Sequence, residues 1–184
     1  KRTGSERRIV VAGCWPQRDA AFLRDEFPGV DLYCGSDQVL EMPSLLRDLQ
    51  DGAVQTAVSG ESSFLNSHEM PRLLLTPPAY SYVKIAEGCD NCCSYCAIPL
   101  IRGRFRSRPV DSVVKECGQL LDNGVSELNM IAQDTTRYGM DFGGGSLLPE
   151  LLDRLEGLSD TEYWVRVLYS HPRHLTGAVL DRLT

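Results

Sequence analysis

The sequence predicts an α/β chain in two parts, a parallel-sheet block followed by part of a parallel (β/α) barrel. Three observations carry this. Short apolar runs alternate with stretches of helical period, as strand–helix repeats require. Pro and Asn-Gly pairs fall where those stretches should start and stop. In the second part, polar or sulfur-bearing residues follow each strand, first the cysteines, then Gln133-Asp134-Thr135, then Ser170-His171. Such residues after successive strands mark the carboxyl face of a barrel.

The first strand is R-I-V-V-A-G, Arg8 to Gly13, ending at Cys14. Pro16 opens a predicted helix to about Glu26, with Ala20, Phe22, Leu23 and Phe27 on its apolar side. The turn F-P-G leads to a second strand, Val30 to Cys34, and Ser36 is placed to cap a helix running to about Leu49. Ligands of such parallel sheets gather at the carboxyl ends of the strands, where Cys14 sits. Position alone favours a core or bystander role for that cysteine.

Residues 53–79 lack strong periodicity and include Pro71, Pro77 and Pro78. They read as a linker between a first domain, 1–52, and a second, 80–184, with an edge strand expected at Arg72 to Leu75. The second domain opens on a strand from Tyr82 to Ala86 that runs directly into the cysteine loop. Pro109 starts a helix whose apolar face is Val110, Val113, Val114, Cys117, Leu120 and Leu121, and Asn123-Gly124 ends it. Cys117 is thereby a packing residue. A strand at Glu127 to Ala132, a helix from Leu147 to about Leu158, a strand at Tyr163 to Ser170 and a helix start near Thr176 complete the pattern. Three barrel strands make half a barrel.

The chain has 184 residues, 42% hydrophobic, with a net charge of −6 and seven cysteines. No apolar run is long enough for a transmembrane helix, and no secretory core is present. The opening K-R-T-G-S-E-R-R and the end just after Ala178 to Leu183 read as cut ends of a longer protein. Four cysteines in one loop point to metal binding in a reducing cytoplasm. An acidic balance is opposite to the basic footprint of a nucleic-acid grip and suits a basic partner.

Glu87 to Cys96 reads E-G-C-D-N-C-C-S-Y-C. Cys89, Cys93 and Cys96 have the spacing C-x3-C-x2-C, which gives an iron–sulfur cluster three ligands and leaves its fourth iron open. Cys89–Cys92 and Cys93–Cys96 are also C-x2-C pairs, but zinc ribbons separate such pairs by a long spacer, and here they abut. A ferredoxin run would need a cysteine where Tyr95 stands. A three-thiolate cluster ranks first, zinc second and disulfides last.

The string Y-V-K-I-A-E-G-C-D-N-C-C-S-Y-C-A-I-P-L-I-R-G-R-F-R-S-R-P resembles the radical S-adenosylmethionine methylthiotransferase family. V-A-G-C at Val11 to Cys14 and V-D-L-Y-C-G at Val30 to Gly35 are similar to that family's N-terminal domain, so the resemblance covers nearly the whole chain. It implies the C-terminal part of a flavodoxin-like N-terminal domain followed by the first half of a radical S-adenosylmethionine barrel. The second barrel half and the C-terminal TRAM domain would lie outside this stretch. I-A-Q-D-T-T-R-Y-G, Ile131 to Gly139, resembles the branch that modifies an aspartate of a small-subunit ribosomal protein. The tRNA-adenosine branch usually has Q-N in place of Gln133-Asp134. Cys92 departs from the family, which commonly has a basic residue there, and reads as a spectator open to oxidation.

The resemblance implies two 4Fe-4S clusters and S-adenosyl-L-methionine. Cys89, Cys93 and Cys96 would hold one cluster, and Cys14 would be the last of three ligands to the other, its companions lying upstream. The implied reaction adds a methylthio group to the aspartate β-carbon through a 5′-deoxyadenosyl radical, because no side-chain base reaches such a proton. A flavodoxin- or ferredoxin-like electron donor and a sulfur source would be needed. Tyr95 is a candidate for adenine contact, with local packing the alternative. Gln133 and Asp134 are candidates for cofactor or substrate contacts. Arg102, Arg104, Arg106 and Arg108 alternate, so an extended segment would place them on one face, either balancing cluster charge and binding a carboxylate or simply solvated; Arg108 is the cofactor candidate among them. His171 can face the site, whereas His174 reads as a helix-start or surface residue and His68 as a linker residue. Gly143-Gly144-Gly145 follows no strand and reads as a flexible loop. The reading from a different class is a non-catalytic cysteine-rich metal module.

Overall fold

The computed structural model describes residues 7–49, 55–75, 77 and 79–183. The expected domain boundary at 52/53, the charged opening through residue 6 and Pro78 lie outside the described residues. The chain divides into two compact units, Lys1–Phe64 with Cys92–Gly103, and Leu65–Asn91 with Arg104–Thr184.

In the first unit, β1 (Val10–Ala12), β2 (Leu32–Cys34) and β3 (Gln55–Ala57) form a parallel sheet in that order. The central strand is wholly buried, which is why L-Y-C is continuously apolar instead of alternating. β3 lies in the stretch read as linker; it is three residues long and mostly polar, too short for periodicity to reveal it. α1 (Cys14–Glu26) is interrupted at Asp19 (φ −132°, ψ 38°), so one apolar stripe does not run its length. Of the four residues expected on its apolar side only Leu23 is buried, and Phe22 and Phe27 are exposed. The Tyr33 hydroxyl ties this helix end to the sheet, lying 2.8 Å from the carbonyls of Leu23 and Phe27.

The helix expected from Ser36 is instead α2 (Met42–Arg47). Pro43 sits in its first turn, where a missing N–H costs nothing; a helix begun at Ser36 would put that proline in its interior. The Ser36 amide donates to Gln17 Oε1 at 3.0 Å.

The second unit is built on a parallel sheet of β4 (Tyr80–Lys84), β7 (Glu127–Ile131) and β8 (Trp164–Val167), in spatial order β4-β7-β8. β5 (Ala86–Glu87) pairs antiparallel with β6 (Arg106–Ser107). Against the sheet lie α4 (Val110–Asp122) and α5 (Leu148–Leu155), and α6 (Gly177–Leu180) starts near Thr176 as expected, with Thr176 as its cap. Val83, Cys117, Leu128, Met130, Leu148 and Leu151 are among the fully buried core residues. Burial pushes the Cys117 thiol up to about 12, as befits a packing residue.

No strand forms at Arg72 to Leu75. β4 is an edge strand, and the Arg72 side chain covers that edge by donating to the Tyr82 carbonyl and, at 3.0 Å, to Ser81 Oγ. A side chain thus does what backbone pairing was expected to do. Among the described residues, no helix is long and apolar enough to cross a membrane.

Candidate functional site

Cys14 opens α1 of the first unit and is exposed. Its sharp entry depends on Gly13, whose φ of 115° suits glycine and whose amide donates to the Cys34 carbonyl at 2.9 Å. Arg102 ends α3 (Ile98–Arg102), which packs on α1, and its Nη2 lies 3.7 Å from Cys14 Sγ. In the same unit, Cys93 and Cys96 are joined by a turn in which the Cys96 amide donates to the Cys93 carbonyl at 3.0 Å. Both are partly buried, while Cys92 is exposed and Tyr95 is 90% exposed, its ring available rather than packed.

In the second unit, Cys89 follows β5 and is buried, and its sulfur accepts the Asn91 amide at 3.4 Å. All seven cysteines are free thiols, so the soft donor set of an iron–sulfur cluster is present and not consumed in disulfides.

Gln133 and Asp134 follow β7, as expected, but their surroundings differ. Asp134 is wholly buried and fully engaged: Oδ1 accepts from Thr136 Oγ1 at 2.6 Å, and Oδ2 meets Asn91 Nδ2 at 3.0 Å and His174 Nδ1 at 2.8 Å. Burial alone would raise its pKa, but the bonds from Thr136, Asn91 and His174 outweigh it and hold the carboxyl below the usual range. Gln133 is half-buried, and its Oε1 is buried without a hydrogen-bond partner. Sequence reasoning missed His174, read as a surface or helix-start residue, and Asn91 as partners of Asp134. The only signal was their location after β5 and β8, at the ends where functional residues gather.

Because Asp134's pKa is depressed on folding, its contribution to stability is present above the unfolded carboxyl value of about 4 and is lost as pH falls through the folded value. Asp134→Asn should therefore cost about 1–3 kcal/mol at pH 7, the range for a lost charged hydrogen bond. Urea melts of the two proteins should converge as pH drops below about 4. A gap that widens on acidification would refute the assignment.

The arginines share no extended face. Arg102 is helical, Arg106 lies in β6, and Arg108 is wholly buried. Arg108 Nη1 reaches Glu116 Oε2 at 2.5 Å and the Lys84 carbonyl at 2.8 Å, and Nη2 reaches Ser112. The expectation of a cofactor contact for Arg108 thus gives way to a structural one, because its guanidinium faces protein groups of β4 and α4. Ser107 and Arg108 are stitched to the loop after β7: the Gly139 amide donates to Ser107 Oγ at 2.8 Å, and the Tyr138 hydroxyl to the Arg108 carbonyl at 2.8 Å. Beyond β8, Tyr169 has a positive φ of 62°, His171 Nδ1 accepts the Arg173 amide at 3.2 Å, and His68 bonds Ser112 at the start of α4.

No family model matches the chain. It is 45% identical over 181 residues to a protein from Dictyoglomus thermophilum named ribosomal protein uS12 methylthiotransferase RimO, covering 98% of this chain and 40% of that relative. The protein of the same name from Heliobacterium modesticaldum is 44% identical over 183 residues, covering 100% of this chain and 39% of its own. The chain therefore spans about two-fifths of the curated relatives it matches. Its fold is similar to that of the radical S-adenosylmethionine methyltransferase TsrM from Kitasatospora setae, with a TM-score of 0.61 at 16% identity, covering 96% of this chain and 39% of that one. By sequence, along nearly its whole length, the chain is similar to proteins named ribosomal protein uS12 methylthiotransferase RimO.

Proposed function

We propose that this chain is part of a radical S-adenosylmethionine methylthiotransferase that adds a methylthio group to the β-carbon of an aspartate in ribosomal protein uS12. The observation that carries the reading is the spacing Cys89-x3-Cys93-x2-Cys96 directly after a strand, in a chain 45% identical to a RimO protein. Cys89, Cys93 and Cys96 would hold one 4Fe-4S cluster and Cys14 would contribute to a second. A bound, reduced cluster of the first kind supplies the electron that cleaves S-adenosylmethionine. The reading also requires an electron donor of flavodoxin or ferredoxin type and a source of sulfur.

The chain's own residues then have separable tasks. The Asn91 amide, donating to the Cys89 sulfur, helps to orient it. Tyr95, free of packing, offers a ring or backbone to adenine. Gln133, with an unengaged buried oxygen, takes the polar contact to cofactor or substrate, whereas Asp134 positions the loops around it. Arg102 places a positive charge beside Cys14, where a thiolate ligand would add negative charge. The acidic chain, at −6, suits a basic ribosomal protein.

The test is the intact mass of uS12 from a host lacking its own methylthiotransferases, with and without the full-length gene. A methylthio increment that needs the gene is the expected result. An unchanged mass with soluble, cluster-loaded enzyme would overturn the substrate assignment, and modified tRNA nucleosides in the same cells would redirect it.

A further inference from the structure

Asp134, His171 and His174 each offer a ligand atom, and the three atoms lie within 4.8 Å of one another in the second unit. They follow β7 and β8 at the carboxyl ends of neighbouring parallel strands, where such sheets place their ligands. We propose that these three residues bind one divalent transition ion of the zinc type, at a site separate from the cysteines. The three ligands do not include a cysteine, but the test uses cluster-loaded protein and in that respect rests on the proposed function.

The donor chemistry selects the ion. Two imidazoles and one carboxylate are borderline ligands that suit zinc or its neighbours, not magnesium or calcium, which demand oxygen cages. A tetrahedral zinc with bonds of about 2.0–2.1 Å separates its ligands by about 3.3 Å, so modest side-chain rotation from the observed spacing closes the site. Asp134 is held in its orientation before any ion arrives, since Thr136 and Asn91 bond its two oxygens. Such outer partners are the usual support of a ligating carboxylate.

The histidines are equally prepared. His174 Nδ1 already lies 2.8 Å from Asp134 Oδ2, and the two rings sit 5.3 Å apart between centroids. His171 is fixed at its backbone, where its amide meets Thr136 Oγ1 at 3.2 Å, and its Nδ1 accepts the Arg173 amide. Each neutral imidazole can move its proton to the other ring nitrogen through solvent and offer a bare one to the ion. The bound site would place two neutral rings and one carboxylate around a 2+ ion. Three protein ligands leave a fourth position open, the pattern of ion sites that also bind water or an oxygen donor.

Cluster-loaded protein, its cysteines occupied by iron, should be titrated with zinc sulfate and dialysed, then the retained zinc measured and its X-ray absorption recorded. The expected result is one tightly held zinc with nitrogen and oxygen neighbours at about 2.0–2.1 Å and imidazole outer scattering. The double variant His171→Gln, His174→Gln should lose that equivalent at unchanged iron content. Thr136→Val, which keeps all three ligands, should weaken binding by roughly 10–100-fold. Retained zinc with sulfur neighbours at about 2.3 Å, no retained zinc, or a double variant that binds as tightly as the parent would each overturn the site.

Discussion

Replacing Glu116 with alanine is expected to destabilise the second unit by about 3–5 kcal/mol, the cost of leaving a buried charge without its partner. Arg108 is wholly buried, and one Glu116 oxygen lies 2.5 Å from its Nη1 while the other meets Arg72. Removing the carboxylate leaves Arg108 with only the Lys84 carbonyl and Ser112, and strands Arg72 at the edge of β4. A loss of that size is a large share of the roughly 5–15 kcal/mol by which domains are stable. Urea unfolding at neutral pH measures it. The double variant Glu116→Ala, Arg108→Met should recover most of the loss, because it removes both charges instead of isolating one. A Glu116→Ala cost under about 1 kcal/mol, as for exposed pairs, would contradict this account.

The second large effect separates adjacent cysteines. In the full-length protein, Cys93→Ala should cut iron by about half, leaving the second cluster, and abolish any change in the spin-resonance spectrum on adding S-adenosylmethionine. Cys92→Ala should leave iron content and the spectral response intact. Cys93 is partly buried in the turn to Cys96, whereas Cys92 is exposed, so the two thiols differ in setting as well as in spacing. A four-thiolate zinc site built from two C-x2-C pairs would instead make Cys92 and Cys93 equally necessary, and their equal loss would sink the cluster assignment.

What could be read in advance tracks how local its causes are. β7, α4 and the Thr176 cap follow from periodicity and from Pro109, Asn123-Gly124 and Thr176 acting on their own neighbours. β3 escaped because three polar residues carry no period, and its pairing comes wholly from β2. The alternating arginines failed because each belongs to a different element, which spacing alone does not disclose. Of the candidate site, the cysteines stand out as a motif within ten residues. The company of Asp134 does not: Asn91 lies 43 residues before it and His174 40 after, and only the sheet unites them.

The interleaving of the two units bears on how a ribosome delivers this chain. The first unit is closed by Cys92–Gly103, whose helix α3 packs on α1, but 27 residues of the second unit, Leu65–Asn91, emerge before that segment. With synthesis at roughly 5–20 residues per second, the interval between Phe64 and Gly103 leaving the tunnel is about 2–8 s. Throughout that wait α1 lacks its covering helix and Cys14 its neighbouring guanidinium. The first unit has all its parts once Gly103 is out, while Arg104–Thr184 of the second are still to come, and a piece ending at Phe64 would lack α3 and its contact with α1.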